Sequence, residues 1–113
     1  MVSHVVLMKP RADLPPADRH AFVAAFERAL REIATVRQVR IGRRVRHGAG
    51  YEAGASDAAD YIAILDFDTL ADLQAYLRHP AHEALGARFG RSLSAALVYD
   101  FEMGGIEDLA RLL

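Results

Sequence analysis

Tyr61-Ile62-Ala63-Ile64-Leu65-Asp66-Phe67-Asp68 is an extended run with apolar side chains on both of its sides. Successive residues of a strand point to opposite faces, so Tyr61, Ala63, Leu65 and Phe67 share one side, while Ile62 and Ile64 share the other before it turns acidic at Asp66. An antiparallel strand with one wet face should alternate apolar with polar residues. This one does not, so something must cover each face of its sheet. Val2 to Lys9, apolar and β-branched up to Pro10, repeats the pattern, with His4, Val6 and Met8 opposing Val5 and Leu7. Helices of the same chain can cover one face. A second copy of the chain is the simplest cover for the other.

Immediately downstream, Thr69-Leu70-Ala71-Asp72 has an N-cap residue followed three places later by an acid, which predicts a helix start and puts Tyr76 in the second turn. Pro80 ends that helix, because proline disfavours α geometry at His79, and its own fixed φ suits the first position of a new helix. His79 is therefore the N-cap candidate of the second helix. His82 falls in the first turn, where free amide groups and the positive end of the macrodipole disfavour a protonated ring. A neutral imidazole with a phenol one turn upstream is an acid-base pair in waiting.

Upstream, Phe22, Phe26, Ala29, Leu30 and Ile33 recur with helical spacing and predict an amphipathic helix of roughly five turns after Pro15-Pro16. Val36 to Val45 alternates in part and predicts a second strand. Gly48, Gly50 and Gly54 with Ser56 and Asp57 predict a long flexible connection, a candidate lid. Ala96 to Met103 completes a βαββαβ order, which with four strands points to helices on one face of an antiparallel sheet, the ferredoxin-like α+β arrangement. Residues 1–103 are expected to form this domain. After Gly104-Gly105 a tail helix, residues 104–113, should dock on its own or the partner subunit, since so short a helix is unstable alone.

A chain of 113 residues with 52% apolar content supports one core and leaves little material for a deep enclosed pocket, another reason to expect a partner. A net charge of −1 argues against general attraction to nucleic acid or anionic membrane. With no cysteine there is no thiolate nucleophile, thiolate metal site or disulfide. Lys9 follows the apolar run Val5 to Met8, and that run is too short for a signal or a membrane span, so a cytoplasmic protein is expected. His4, His79 and His82 lack the carboxylate spacing of a metal triad, and neither metal nor cofactor is expected. Arg37, Arg40, Arg43, Arg44, Arg46 and His47 along the second strand are expected to protect an exposed edge, or one of the arginines to guide an anionic ligand toward the pocket, and no aromatics interleave them as nucleic-acid binding would require. Gly86 and Gly90, four apart on the last long helix, are expected to permit close packing.

Five stretches together resemble the dimeric α+β-barrel, or stress-responsive A/B barrel (Dabb), family: His4 to Lys9, Val39-Arg40-Ile41-Gly42, Asp60 to Phe67, Tyr76 to His82, and Val98-Tyr99-Asp100-Phe101. The resemblance runs from about residue 3 to 102. It implies a homodimer in which two sheets face each other with the helices outside. Among characterised members the chain is most similar to plant polyketide cyclases of the olivetolic acid type, cofactor-free enzymes whose tyrosine and histidine acid-base pair corresponds to Tyr76 and His82. The first-strand histidine of their pocket corresponds to His4. A tyrosine on the first helix is replaced by Phe26, and a histidine on the third strand by Tyr61. His4, Phe26, Tyr61 and His79 are accordingly the candidate ligand-binding residues, although each histidine also has a structural reading, in the core or as a helix cap. Three functions follow as expectations: binding of a small apolar or aromatic ligand between helices and sheet, cofactor-independent acid-base catalysis by Tyr76 and His82, and a purely structural dimerisation module.

Overall fold

Strand pairing follows from the apolar patterns just read. In the computed structural model, which describes residues 1–113, β1 (Val2–Pro10), β2 (Gln38–Arg43), β3 (Tyr61–Phe67) and β4 (Leu93–Glu102) form one antiparallel sheet in the order β2-β3-β1-β4. The helices are α1 (Pro16–Glu32), α2 (Leu70–Arg78), α3 (Pro80–Ser92) and the four-residue α4 (Leu109–Leu112). This is the expected ferredoxin-like βαββαβ order, with the two β-branched strands β1 and β3 at the centre.

Local chemistry sets the helix ends. Pro16 opens α1 behind an extended Pro15, and the Ile33 amide closes it on the Ala29 carbonyl at 3.0 Å. The Thr69 hydroxyl caps α2 by accepting from the Asp72 amide at 3.1 Å. His79 has φ −70° and ψ 140°, so it leaves α2 and, with its side chain accepting from the Ala81 amide at 3.0 Å, caps α3. The β2 ladder is shorter than the alternation of Val36 to Val45 predicts, because its partner β3 begins only at Tyr61, opposite Arg43.

The core lies on one side of the sheet. Val6, Leu65 and Phe67 pack there against Ala29 of α1, Ile33 at its C-cap, Leu73 of α2 and Leu85 of α3, all buried. On the opposite side Val5 is flanked by Ile64 and Tyr99, and Leu7 by Ile62 and Leu97. The Cα trace is only 16 Å deep along its shortest axis, room for the sheet and one helix layer. No segment of the chain forms a third layer over Val5, Leu7, Ile62 and Ile64.

Two local expectations need correction, and the tail adds a detail. The glycine-rich connection contains a short 3₁₀ turn, Gly50–Gly54, anchored where Glu52 accepts from the His47 amide at 2.8 Å and where Lys9 pairs with Asp57. Within it Gly48 alone needs a left-handed conformation, at φ 84°. At Gly86 and Gly90 an added Cβ meets nothing within 4 Å, so neither glycine serves close packing. The tail is a 3₁₀ turn, Ile106–Asp108, running into α4, and Leu113 is 96% exposed.

Candidate functional site

A cavity of about 310 Å³ opens between the helix layer and the sheet, and Val6, Phe26, Leu65, Leu77, Leu85, Phe89 and Val98 give it an apolar lining. Into this greasy surround the fold brings three polar rings: His4 from β1, Tyr76 from α2 and His82 from α3. His4 points to the helix side because it shares the strand face of Val6 and Met8. Tyr76 lies on the α2 face that buries Leu73, one turn earlier. His82 reaches the same place because the break at Pro80 starts α3 in a new direction. The Tyr76 ring lies 4.8 Å from the His82 ring and 5.9 Å from the His4 ring, centre to centre. Phe26 of α1 lines the same cavity.

Each ring is held in a defined orientation. The Leu77 carbonyl lies 3.1 Å from His82 Nδ1, and a carbonyl only accepts, so Nδ1 carries the hydrogen and Nε2 of the neutral ring keeps a free lone pair. Burial pushes the His82 pKa below its ordinary value; the Leu77 bond and Glu83 oppose this, and His4 adds to it. The helix start predicted the same direction, but desolvation is the main cause. Tyr76 is 2% exposed, and burial raises its phenol to about 12. It therefore remains a hydrogen-bond donor across the physiological range. His4 Nδ1 donates to Asp100 Oδ1 at 2.6 Å, leaving its Nε2 uncommitted.

Asp100, the partner of His4, is not evident from the sequence. Its role depends on the β1–β4 register, which sets it opposite His4. Two candidates lie elsewhere. His79 does not reach the cavity, since its ring nitrogen is used as the α3 cap. Tyr61, on the helix side of β3, pairs with Met8 at the far end of the sheet and lines a separate cleft. No three His, Asp or Glu side chains are grouped as a metal ion would require. No helix is long and apolar enough to cross a membrane.

Residues 2–103 match the model of the stress responsive A/B barrel domain. No curated protein matches the chain. Among solved structures, a protein from Arabidopsis thaliana is similar with a TM-score of 0.76 at 20% identity, over 94% of this chain and 98% of that one. A hydroxynitrile lyase from Passiflora edulis is similar with a TM-score of 0.75 at 13% identity, over 91% of this chain and 93% of that one. A dimeric ferredoxin-like protein of unknown function from Jannaschia sp. CCS1 gives a TM-score of 0.71 at 21% identity, over 90% of this chain and 98% of that one. At these identities the likeness is one of fold.

Proposed function

The chain belongs to the stress responsive A/B barrel domain family, and from that premise we propose that it is a homodimer whose subunits each bind a small apolar or aromatic ligand carrying an oxygen head group. The observation that supports this most is the single cavity in which Tyr76, His82 and His4 interrupt an otherwise apolar lining. Ligand sites have this make-up: apolar walls for affinity and a few placed polar groups for orientation, in a volume of roughly 300–1,000 Å³. A phenol meets a donor in Tyr76 and an acceptor at His82 Nε2, and a carbonyl oxygen accepts from Tyr76. The dimer reading rests on the uncovered apolar sheet face and on the dimeric relatives of the same fold. The tail from residue 104 onward is proposed to dock on the partner, where its exposed leucines find cover.

A second reading, acid-base catalysis without a cofactor, is favoured by one feature of the same cavity: a desolvated His82 with a free Nε2 beside a phenol that stays protonated. On an enolisable ketone, His82 Nε2 takes the proton from the carbon next to the carbonyl, and Tyr76 donates a hydrogen bond to the oxygen on which the enolate charge develops. The imidazolium exchanges its proton with solvent and returns one to that carbon, which regenerates both the ketone and neutral His82.

Two measurements separate the readings. Titration with 2-naphthol, followed by its fluorescence, is expected to show saturable binding that Leu85→Trp abolishes by filling the cavity. Deuterium exchange at C1 of 2-tetralone in D2O is expected to exceed the buffer rate, to fall to background in His82→Gln, and to drop about 10²-fold in Tyr76→Phe. Binding without exchange leaves the ligand-binding reading alone. Neither binding nor exchange removes both.

A further inference from the structure

We propose a second ligand site, for a small amphipathic monocarboxylate, in the cleft of about 380 Å³ between the start of α1 and the Tyr61 end of β3, where Arg11 and Arg19 flank apolar walls and the buried hydroxyl of Ser92. It is separate from the cavity of Tyr76 and His82. Phe22 lines the cleft, Phe89 lines the cavity, and their rings lie 5.4 Å apart as a shared wall.

Three observations point to an occupant with an apolar body and an anionic head. Val23, Ile41 and Tyr61 all line the cleft yet stay 47%, 62% and 40% exposed, a wet apolar rim that a ligand would cover. Ser92 is 1% exposed, and its hydroxyl is the one buried side-chain polar atom without a hydrogen-bond partner. Buried polar groups are nearly always satisfied, so an orphan lining a cleft marks a place for a ligand atom. Its backbone is already committed, since the Ser92 carbonyl accepts from the Arg11 amide at 2.9 Å, and this bond holds Arg11 next to it. Finally, neither Arg11 nor Arg19 takes part in any ion pair of the chain. The ladder irregularity at Lys9/Pro10 turns the chain out of β1 just before Arg11, as bulges beside sites commonly do. The Arg11 guanidinium donates to the Gly90 carbonyl at 3.5 Å, a neutral partner. A bare anion leaves the apolar walls wet, and a neutral lipid leaves both guanidinium groups without a counter-charge. A monocarboxylate with a short alkyl or aryl body answers both.

The test uses the full chain with its methionine methyls labelled with carbon-13. Met8 lines the cleft, whereas Met1 and Met103 do not, so one signal reports on it. Decanoate is expected to shift the Met8 methyl saturably, with 1-decanol binding about tenfold more weakly for want of the charge-assisted bonds. In the double variant Arg11→Gln, Arg19→Gln, decanoate should fall to the level of decanol, while 2-naphthol binding at the other cavity is unchanged. A Met8 signal that does not move, or decanol binding as tightly as decanoate, overturns the proposal. Loss of 2-naphthol binding together with decanoate binding in the double variant also overturns it, because the two sites would not then be separate.

Discussion

Tyr76 and His82 were legible as a pair because everything that brings them together is local: a cap at Thr69, a proline at position 80, and six residues of spacing. His4 was legible from strand alternation. Asp100 was not, because pairing Asp100 with His4 requires the register of strands 96 residues apart in sequence. His79 and Tyr61 stand outside the cavity for the same kind of reason. Sequence spacing puts His79 beside His82, yet capping turns its ring back onto the Ala81 amide. The direction of the His82 shift fixes how stability depends on pH. Its folded pKa lies below 6.5, so as pH falls the unfolded chain takes up the proton first. His82 therefore contributes its share of stability above pH 6.5, and that share is lost as pH falls below 6.5 and through the folded value. An NMR titration of the ring should give a midpoint below 6.5, and His82→Gln should flatten the stability profile on the acid side. A midpoint at or above 6.5 contradicts the desolvated environment.

At the scale of elements, helices and central strands were readable because caps, prolines and apolar periods agree with one another. The connection after Arg43 was not, because its order comes from side-chain bonds such as Glu52 to the His47 amide, which composition does not reveal. If His79 is a cap, then His79→Ala should cost about 1 kcal/mol in denaturant unfolding and His79→Asn should restore most of it, with 2-naphthol affinity nearly constant in both. A large loss of affinity in a stable His79→Asn protein would return the ring to the ligand site. Gly86 lies inside α3 with open space around its missing Cβ. Gly86→Ala should therefore stabilise the protein by up to about 1 kcal/mol, the helix-propensity difference between the two residues. Since Gly86 also lines the cavity, 2-naphthol binding should weaken as the helix strengthens. Calorimetric unfolding and fluorescence titration of one variant read both effects, and unchanged stability would mean that α3 is strained at that position.

For the whole molecule, the radius of gyration is 15.5 Å, against about 13 Å expected for a compact chain of this length. The excess lies in a thin two-layer body whose outer sheet face carries Val5, Leu7, Ile62 and Ile64 with nothing of its own above them. The two-sided apolar pattern of β3 made this face visible in the sequence, although not how the tail would sit. One face of the sheet holds the cavity of Tyr76 and His82, and the other is expected to hold a second copy. Ile64→Asp places a charge in the middle of the outer face and should yield single subunits that still bind 2-naphthol. Sedimentation equilibrium at micromolar concentration tests the arrangement most directly. The expected mass is twice 12.4 kDa for the unaltered chain and 12.4 kDa for Ile64→Asp. A folded, unaltered chain sedimenting at 12.4 kDa, with its outer isoleucines in water, would contradict it.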